Sequence, residues 1–426
     1  MMSSVFCLCA LLLVTASALR LLPDIGTRLF STSLDSSTGG VDVLTTEFAA
    51  LSELIGGSGK AKTIWMLLRN GIDPTLDYTD TFVYQMRGLD EASGTSDGLD
   101  KNLQFLSVKA REYLKTNLLG SSKSIVPLAV KDITVSDCGT RKLLVQLESD
   151  NQLIESVLIP SYKYDRTTLC VSTQIGCDRG CTFCATGTMG LVRNLTASEI
   201  VGQVIKGKEY AIKNGMPALT NIVLMGMGDS GRNADNVGLA CNILTDRSRM
   251  SMAQAKITIS TVGPSPETFM QLAGFPGTLA WSLHSPDDII RRKLVPSTRH
   301  TTVALRDGLV RALESRPAIR MRTIMIALTL IDGINDSEED ALKLSKFIQP
   351  MLATVPKIAI DLIPYNDINA HGFKRPSMDK VNAFQAVLRD NGFFCSVRVT
   401  RGDEESSACG MLVTEKKRMK STPSQD

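Results

Sequence analysis

Apolar positions change period along the chain, and each change marks a different kind of element. Between residues 41 and 125 they recur at helical spacing, in Phe48 to Ile55, Ile64 to Leu68 and Leu103 to Leu118, with a Gly/Ser/Asp-rich loop from Ser93 to Asp100 among them. From Val126 to Pro160 the period falls to two, in Leu143, Val145 and Leu147 and again in Val157 and Ile159, around Ser149-Asp-Asn151. That pattern predicts a hairpin. From Thr168 onward strands and helices alternate. Strands are expected at Leu169 to Ile175, Asn221 to Met225, Lys256 to Thr261, Thr278 to Leu283, Arg320 to Leu330, Ile358 to Ile363 and Ser396 to Thr400. Helices are expected between them, the first opened by the capping box Thr196-Ala-Ser-Glu199, others near Asn233 to Leu244, Thr302 to Leu313, Ser337 to Ile348 and from Ser377.

Repeated strand-helix units of this length predict an α/β fold with a parallel sheet covered by helices. No Gly-x-Gly-x-x-Gly opens any of the helices, so a barrel or partial (β/α) barrel is favoured over a dinucleotide fold. The expected organisation is a targeting leader over 1–40, a small helical accessory module over 41–125, a linking β hairpin over 126–165, the barrel over 166–413 and a basic polar tail over 414–426. Residues with chemical potential then fall just past strand ends, where a barrel keeps its site. Met225-Gly-Met-Gly228-Asp229 follows the second strand, Ser260-Thr261 ends the third, and Ser282-Leu283-His284 ends the fourth.

A chain of 426 residues can bury a sizeable core. Its net charge of +3 is the residue of 47 basic and 44 acidic side chains, so global charge does not argue for nucleic acid and any RNA site must be local. Ten cysteines are too few for a disulfide scaffold at this length and fit a reduced compartment. Val5 to Ala18 has the length of a signal-peptide apolar region and ends in Ala16-Ser-Ala18. The Ser/Thr-rich, acid-poor stretch Arg20 to Gly40 then reads like a transit peptide. The pair resembles a bipartite leader to a complex plastid, with mitochondrial import or a cytoplasmic protein from a later start as alternatives; no membrane span is expected in the mature chain.

The densest chemistry lies in Cys177-Asp-Arg-Gly-Cys181-Thr-Phe-Cys184-Ala-Thr-Gly187. Three thiolates on a short glycine-relaxed loop can hold three corners of a cubane iron-sulfur cluster and leave the fourth iron open to a small molecule. The alternative is a zinc site with Cys170 as fourth thiolate, although no second Cys-x-x-Cys or Cys/His pair accompanies it.

The loop resembles the cluster motif of radical S-adenosylmethionine (SAM) enzymes. Together with Thr168-Leu-Cys170, Met225-Gly-Met-Gly228, Ser260-Thr261, Ser282-Leu-His284, Gly333-Ile-Asn335-Asp336, Leu362-Ile-Pro-Tyr-Asn366 and Arg401-Gly-Asp403 … Ala408-Cys409-Gly410, it is similar to the RlmN/Cfr family over about residues 125–413. The resemblance implies a radical SAM methyltransferase acting on C2 of an adenine in RNA, with a 4Fe-4S cluster on Cys177, Cys181 and Cys184. A C8-directed relative or a non-catalytic RNA- or zinc-binding relative is the alternative. It implies that Cys409 is methylated by one SAM, and that a second is cleaved to a 5′-deoxyadenosyl radical which activates that methyl. Adenine C2 is too electron-poor for the electrophilic methyl of SAM, so the carbon has to arrive as a radical. Glu155 matches the family's base, and Cys170 the thiol that resolves the adduct through a disulfide with Cys409. Judged without the resemblance, Glu155 is a solvated strand residue and Cys170 and Cys409 are buried thiols. Gly228, Asp229, Ser260, Ser282, Leu283, His284 and Asn335 match the SAM-binding positions.

One position departs from the family pattern: Gly228-Asp229-Ser230 stands where Gly-Glu-Pro is usual, which keeps a carboxylate but shortens its reach. Candidate phosphate contacts are Arg291-Arg-Lys293, Arg320 with Arg322, and Lys416-Lys-Arg418, each equally readable as a solvated face. The implied partners are rRNA, with tRNA as a second substrate, and a flavodoxin- or ferredoxin-type electron donor to a monomeric enzyme.

Overall fold

The computed structural model describes residues 40–76, 106–119, 124–368, 372–398 and 411. The leader, the 93–100 loop, Cys409 with its flanking motif, and the 414–426 tail lie outside these residues.

The expected N-terminal helices are α1 (Phe48–Leu54), α2 (Ser58–Arg69) and α3 (Val108–Asn117). They bury Leu51, Trp65, Leu68 and Leu114. The Arg69 carbonyl accepts from Lys208 Nζ at 2.8 Å and its guanidinium bonds the Arg247 and Arg249 carbonyls, so polar contacts join these helices to the main body.

Residues 126–165 form three strands, β1 (Leu128–Val135), β2 (Arg141–Leu147) and β3 (Leu153–Ser161), instead of one hairpin. The first strand escapes the alternation pattern because a register shift between Val130 and Asp132 breaks its period and much of it is solvated. Nor is this a separate linking element. β3 pairs antiparallel with β4 (Arg166–Cys170), Val157 opposite Cys170, which makes the meander the continuation of the main sheet.

The expected strand at 169–175 is interrupted. β4 ends at Cys170, and Gln174–Cys177 (β5) leaves the sheet to pair with Gly190–Asn194 (β6) in a two-stranded ribbon. After the capped helix α4 (Ala197–Lys213) come β7 (Leu219–Leu224), α5 (Ala234–Thr245), β8 (Ile257–Thr261), α6 (Pro266–Ala273), β9 (Thr278–Ser282), α7 (Asp288–Leu294) and α8 (Thr302–Glu314). Then follow β10 (Thr323–Leu330), α9 (Glu338–Ile348), β11 (Lys357–Pro364), α10 (Met378–Asp390) and β12 (Phe394–Val397). The helices α6 and α7 are too short for the 3.6-residue period to declare itself, and their caps mark them instead: Ser265 accepts from the Thr268 amide, and Asp287 from those of Ile289 and Ile290.

The main sheet runs β1-β2-β3-β4-β7-β8-β9-β10-β11-β12, parallel from β4 onward. The terminal strands β1 and β12 do not pair with each other, so the barrel is partial. Its central strands are buried on both faces, as parallel strands under crossover helices are. Side chains from β3, β4, β7, β8, β9, β10 and β11 all face one cavity, which requires the sheet to curl around it.

Candidate active site

The ribbon β5–β6 carries the cysteine loop. Gly176 has φ +73°, and a Cβ there would lie 1.9 Å from the Gly190 carbonyl oxygen, so the ribbon closes only with glycine. Farther along the loop, Thr182 donates its amide to the Leu294 carbonyl (3.0 Å) and its hydroxyl to that of Lys293 (3.2 Å), fastening the loop to the C-terminal end of α7. Cys177, Cys181 and Cys184 all line the cavity, as does Cys170. The Arg179 amide reaches Cys177 Sγ at 3.5 Å.

Burial pushes the Cys177 thiol up to about 12 and the Cys181 thiol well above its ordinary value, with the neighbouring thiols and Asp229 adding to both. Such thiols keep their protons until a cation displaces them. Among the described residues, no three His, Cys, Asp or Glu side chains lie close enough to share a single metal ion. A cubane spreads its thiolates over separate irons. Three cysteines on one cavity wall, with a buried Arg291 Nε that has no acceptor nearby, fit that larger, anionic group.

The segment after β7 is laced to the strand leading into the ribbon. Gly226 N donates to Val171 O (3.0 Å), Met227 N to Ser172 Oγ (2.9 Å) and Asp229 N to Gln174 Oε1 (2.9 Å). Gly228 has φ +100°, and a Cβ there would meet Gln174 Cβ at 2.6 Å. Asp229 lines the cavity, yet its carboxylate is already engaged. It accepts from Thr261 Oγ1 (2.9 and 3.1 Å), Val262 N (2.7 Å) and Gly231 N (2.9 Å). Desolvation raises its pKa from the usual value, and these hydrogen bonds oppose the rise.

Ser260 and Ser282, at the ends of β8 and β9, face the cavity with their hydroxyls 3.3 Å apart. His284 follows at φ +61°, a strained conformation for a non-glycine residue. Its Nδ1 accepts from the Thr329 amide (3.1 Å), and its ring centroid is 4.5 Å from that of Phe183 in the cysteine loop. Burial, then the charge of Arg291, lowers its pKa to about 3. The ring is therefore neutral, with its proton on Nε2 as a donor.

Asn335 and Leu283 do not line the cavity. The Asn335 amide donates to the His284 and Thr329 carbonyls (2.7 and 2.8 Å) and accepts from Ile331 N (2.8 Å), so it braces the His284 turn. Leu283 points into the apolar core and offers its backbone alone.

Glu155 is 2% exposed, which removes the reading of a solvated strand residue. By strand alternation it shares a face with Val157 and Ile159, both cavity residues, and its Oε1 lies 3.5 Å from Nζ of the equally buried Lys142. Cys409 lies outside the described residues, and among those described no disulfide is formed.

Arg291 corrects another expectation. It is fully buried, whereas Arg292 and Lys293 are exposed on the same helix beside the site. Arg320 and Arg322 precede β10, at the opposite end of the sheet from the cavity. Two features carried no sequence signal: Lys142, the buried partner of Glu155 on a strand of otherwise ordinary pattern, and the cavity residue Arg398, whose Nε bonds Asp361 at 2.5 Å and whose Nη2 is 3.4 Å from Met225 Sδ.

Residues 171–345 match the Radical SAM superfamily. The chain is 43% identical over 277 residues to a probable dual-specificity RNA methyltransferase RlmN of Chlorobaculum tepidum, covering 65% of this chain and 71% of that one. It is 36% identical over 342 residues to the dual-specificity RNA methyltransferase RlmN of Sorangium cellulosum, covering 72% and 84%. The crystal structure of a radical SAM methyltransferase from Sphaerobacter thermophilus superposes with a TM-score of 0.69 at 33% identity, over 87% of this chain and 98% of that one. The fold thus has its counterpart in a radical SAM methyltransferase, and the chain belongs to the RlmN family of radical SAM RNA methyltransferases, which use a 4Fe-4S cluster and SAM.

Proposed function

We propose that this enzyme methylates C2 of an adenosine in RNA, in large-subunit rRNA and in tRNA, by way of a methyl group carried on Cys409. The observation that supports this most is the single cavity that takes in the three cluster cysteines, Cys170, Ser260, Ser282, Asp229 and His284. When bound, the cluster and SAM supply the radical that activates the carried methyl group.

The chain's own residues do the rest. Neutral His284 offers Nε2–H, and Ser260 and Ser282 offer hydroxyls, to the ribose and carboxylate oxygens of SAM. Asp229 presents a buried carboxylate toward its amino end. Glu155 takes the ring proton from the adduct, and the Cys170 thiolate attacks the Cys409 sulfur, breaking its bond to the transferred carbon, which takes up a proton as the product's methyl group and leaves the two cysteines joined as a disulfide. The electron donor is a flavodoxin or ferredoxin acting on a monomer, and the 1–40 leader directs the chain to a plastid. A fluorescent fusion of residues 1–45 that appears among secreted proteins would overturn that address.

Nucleoside mass spectrometry on RNA from cells with and without the protein tests the main proposal. The expected result is protein-dependent 2-methyladenosine in rRNA and tRNA. A product methylated at C8, or no methylated adenosine at all, overturns it.

A further inference from the structure

The helix that joins the cysteine loop to the strand ends also carries a buried cation whose charge nothing described so far neutralises. Arg291 is 0% exposed. Its guanidinium donates from Nη1 to the carbonyls of Ser282 (3.1 Å) and Leu283, from Nη2 to that of Val262, and its carbon lies 5.7 Å from the Trp281 ring. These acceptors are neutral. Among the described residues no carboxylate lies within ion-pair distance of it, and its Nε has no acceptor. Asp288, the carboxylate nearest in sequence, bonds the Thr302 amide at 2.7 Å, while Asp229 is held by Thr261, Val262 and Gly231.

A guanidinium buried without a counter-charge is expensive to keep. Asp288, Asp229 and, once its thiol gives up its proton to the cluster, Cys181 are the negative groups that act on this one. That cysteine shares a small apolar cluster with Val262 and with Leu294, the last residue of α7, and the neighbouring Thr182 bonds the Leu294 carbonyl. The guanidinium, the strand ends and the cysteine loop thus form one brace.

We propose that Arg291 is the internal counter-charge of the cluster, a positioning residue that makes the cluster easier to reduce. A cubane on three thiolates is anionic and gains a further negative charge on accepting an electron, so a fixed buried cation favours the reduced form. The inference rests on the cluster occupying the three-cysteine loop, which iron analysis of the wild type checks separately: an iron-free wild type removes the cluster, and a loaded but unshifted variant removes only the role of Arg291.

The test is an EPR-monitored redox titration of the anaerobically reconstituted full chain, comparing Arg291→Met, which keeps the stem and removes the charge, with Arg291→Lys. At a fixed potential the ratio of reduced to oxidised cluster should fall at least tenfold in Arg291→Met, about 59 mV for one electron, and stay within about threefold of wild type in Arg291→Lys. A fully loaded Arg291→Met with an unchanged ratio overturns the proposal. Should Arg291→Met fail to load, the wild type decides. With guanidino-15N arginine, pulsed EPR of the reduced cluster should show a 15N coupling that persists in Arg179→Lys, and its absence overturns the proposal as well.

Discussion

Acidification should weaken this protein through His284, by an amount the structure allows to be worked out. The imidazole is fully buried and accepts from the Thr329 amide, and desolvation with the nearby Arg291 charge lowers its pKa from 6.5 to about 3. Above pH 6.5 the ring is neutral whether the chain is folded or not, and the full stability is present. As the pH falls from 6.5 toward 3 the unfolded chain binds a proton that the folded one refuses, and stability is lost. At pH 5.5 the unfolded ring lies one unit below its pKa, a difference of about 1.4 kcal/mol. Urea unfolding of the metal-free chain, measured at pH 7.5 and 5.5 beside His284→Gln, reads this directly. Gln keeps an acceptor for the Thr329 amide and does not titrate. The wild type should lose about 1.4 kcal/mol more than the variant over that interval. Parallel losses would show that the folded imidazole titrates normally and refute the buried, neutral ring.

Gly176→Ala would drive a methyl group to 1.9 Å from the Gly190 carbonyl oxygen, so the variant should lose cluster loading, read as iron per chain, while its helix content by circular dichroism stays near wild type. Asp229→Ala strands the buried amide of Val262, at about 1–3 kcal/mol, together with the half-buried amide of Gly231, and should lower stability by about 1–3 kcal/mol or somewhat more and weaken SAM binding in calorimetry. Cys170→Ala should leave its RNA covalently attached, visible as a slow-migrating protein–RNA band; normal turnover by this variant would remove Cys170 from product release.

The parallel half of the fold was legible because strands buried on both faces read as continuous apolar runs and most of the crossover helices carry a side-chain cap, as at Thr196 and Ser337. The meander was half-legible: β2 and β3 alternate, but the shift at Val130/Asp132 hides β1. In the site, Cys177, Cys181 and Cys184 announce themselves by spacing, because one short loop must supply all three. Arg291 and Asn335 mislead for the opposite reason. A basic triplet and a loop amide look the same in sequence whether they face solvent, a ligand or a carbonyl two elements away.

That distinction bears on how this cavity is built. The charged and polar side chains in it and behind it are held chiefly by backbone groups at strand ends: Asp229, on the cavity wall, by two amides, and Arg291 and Asn335, behind the wall, by three carbonyls and by two carbonyls and an amide. Backbone groups at the end of a packed strand move little, so the cost of orienting these side chains is met when the sheet forms, before any ligand arrives. His284 shows the consequence. Asn335 fixes its carbonyl, Thr329 fixes its Nδ1, and Arg291 helps keep it uncharged, so one proton on Nε2 is left facing the site. The shorter Asp229 belongs to the same frame. Its carboxylate is anchored to β8 through Thr261 and Val262, so the lost methylene is offset by fixed direction, and a Glu at this position would have to surrender those bonds to reach farther.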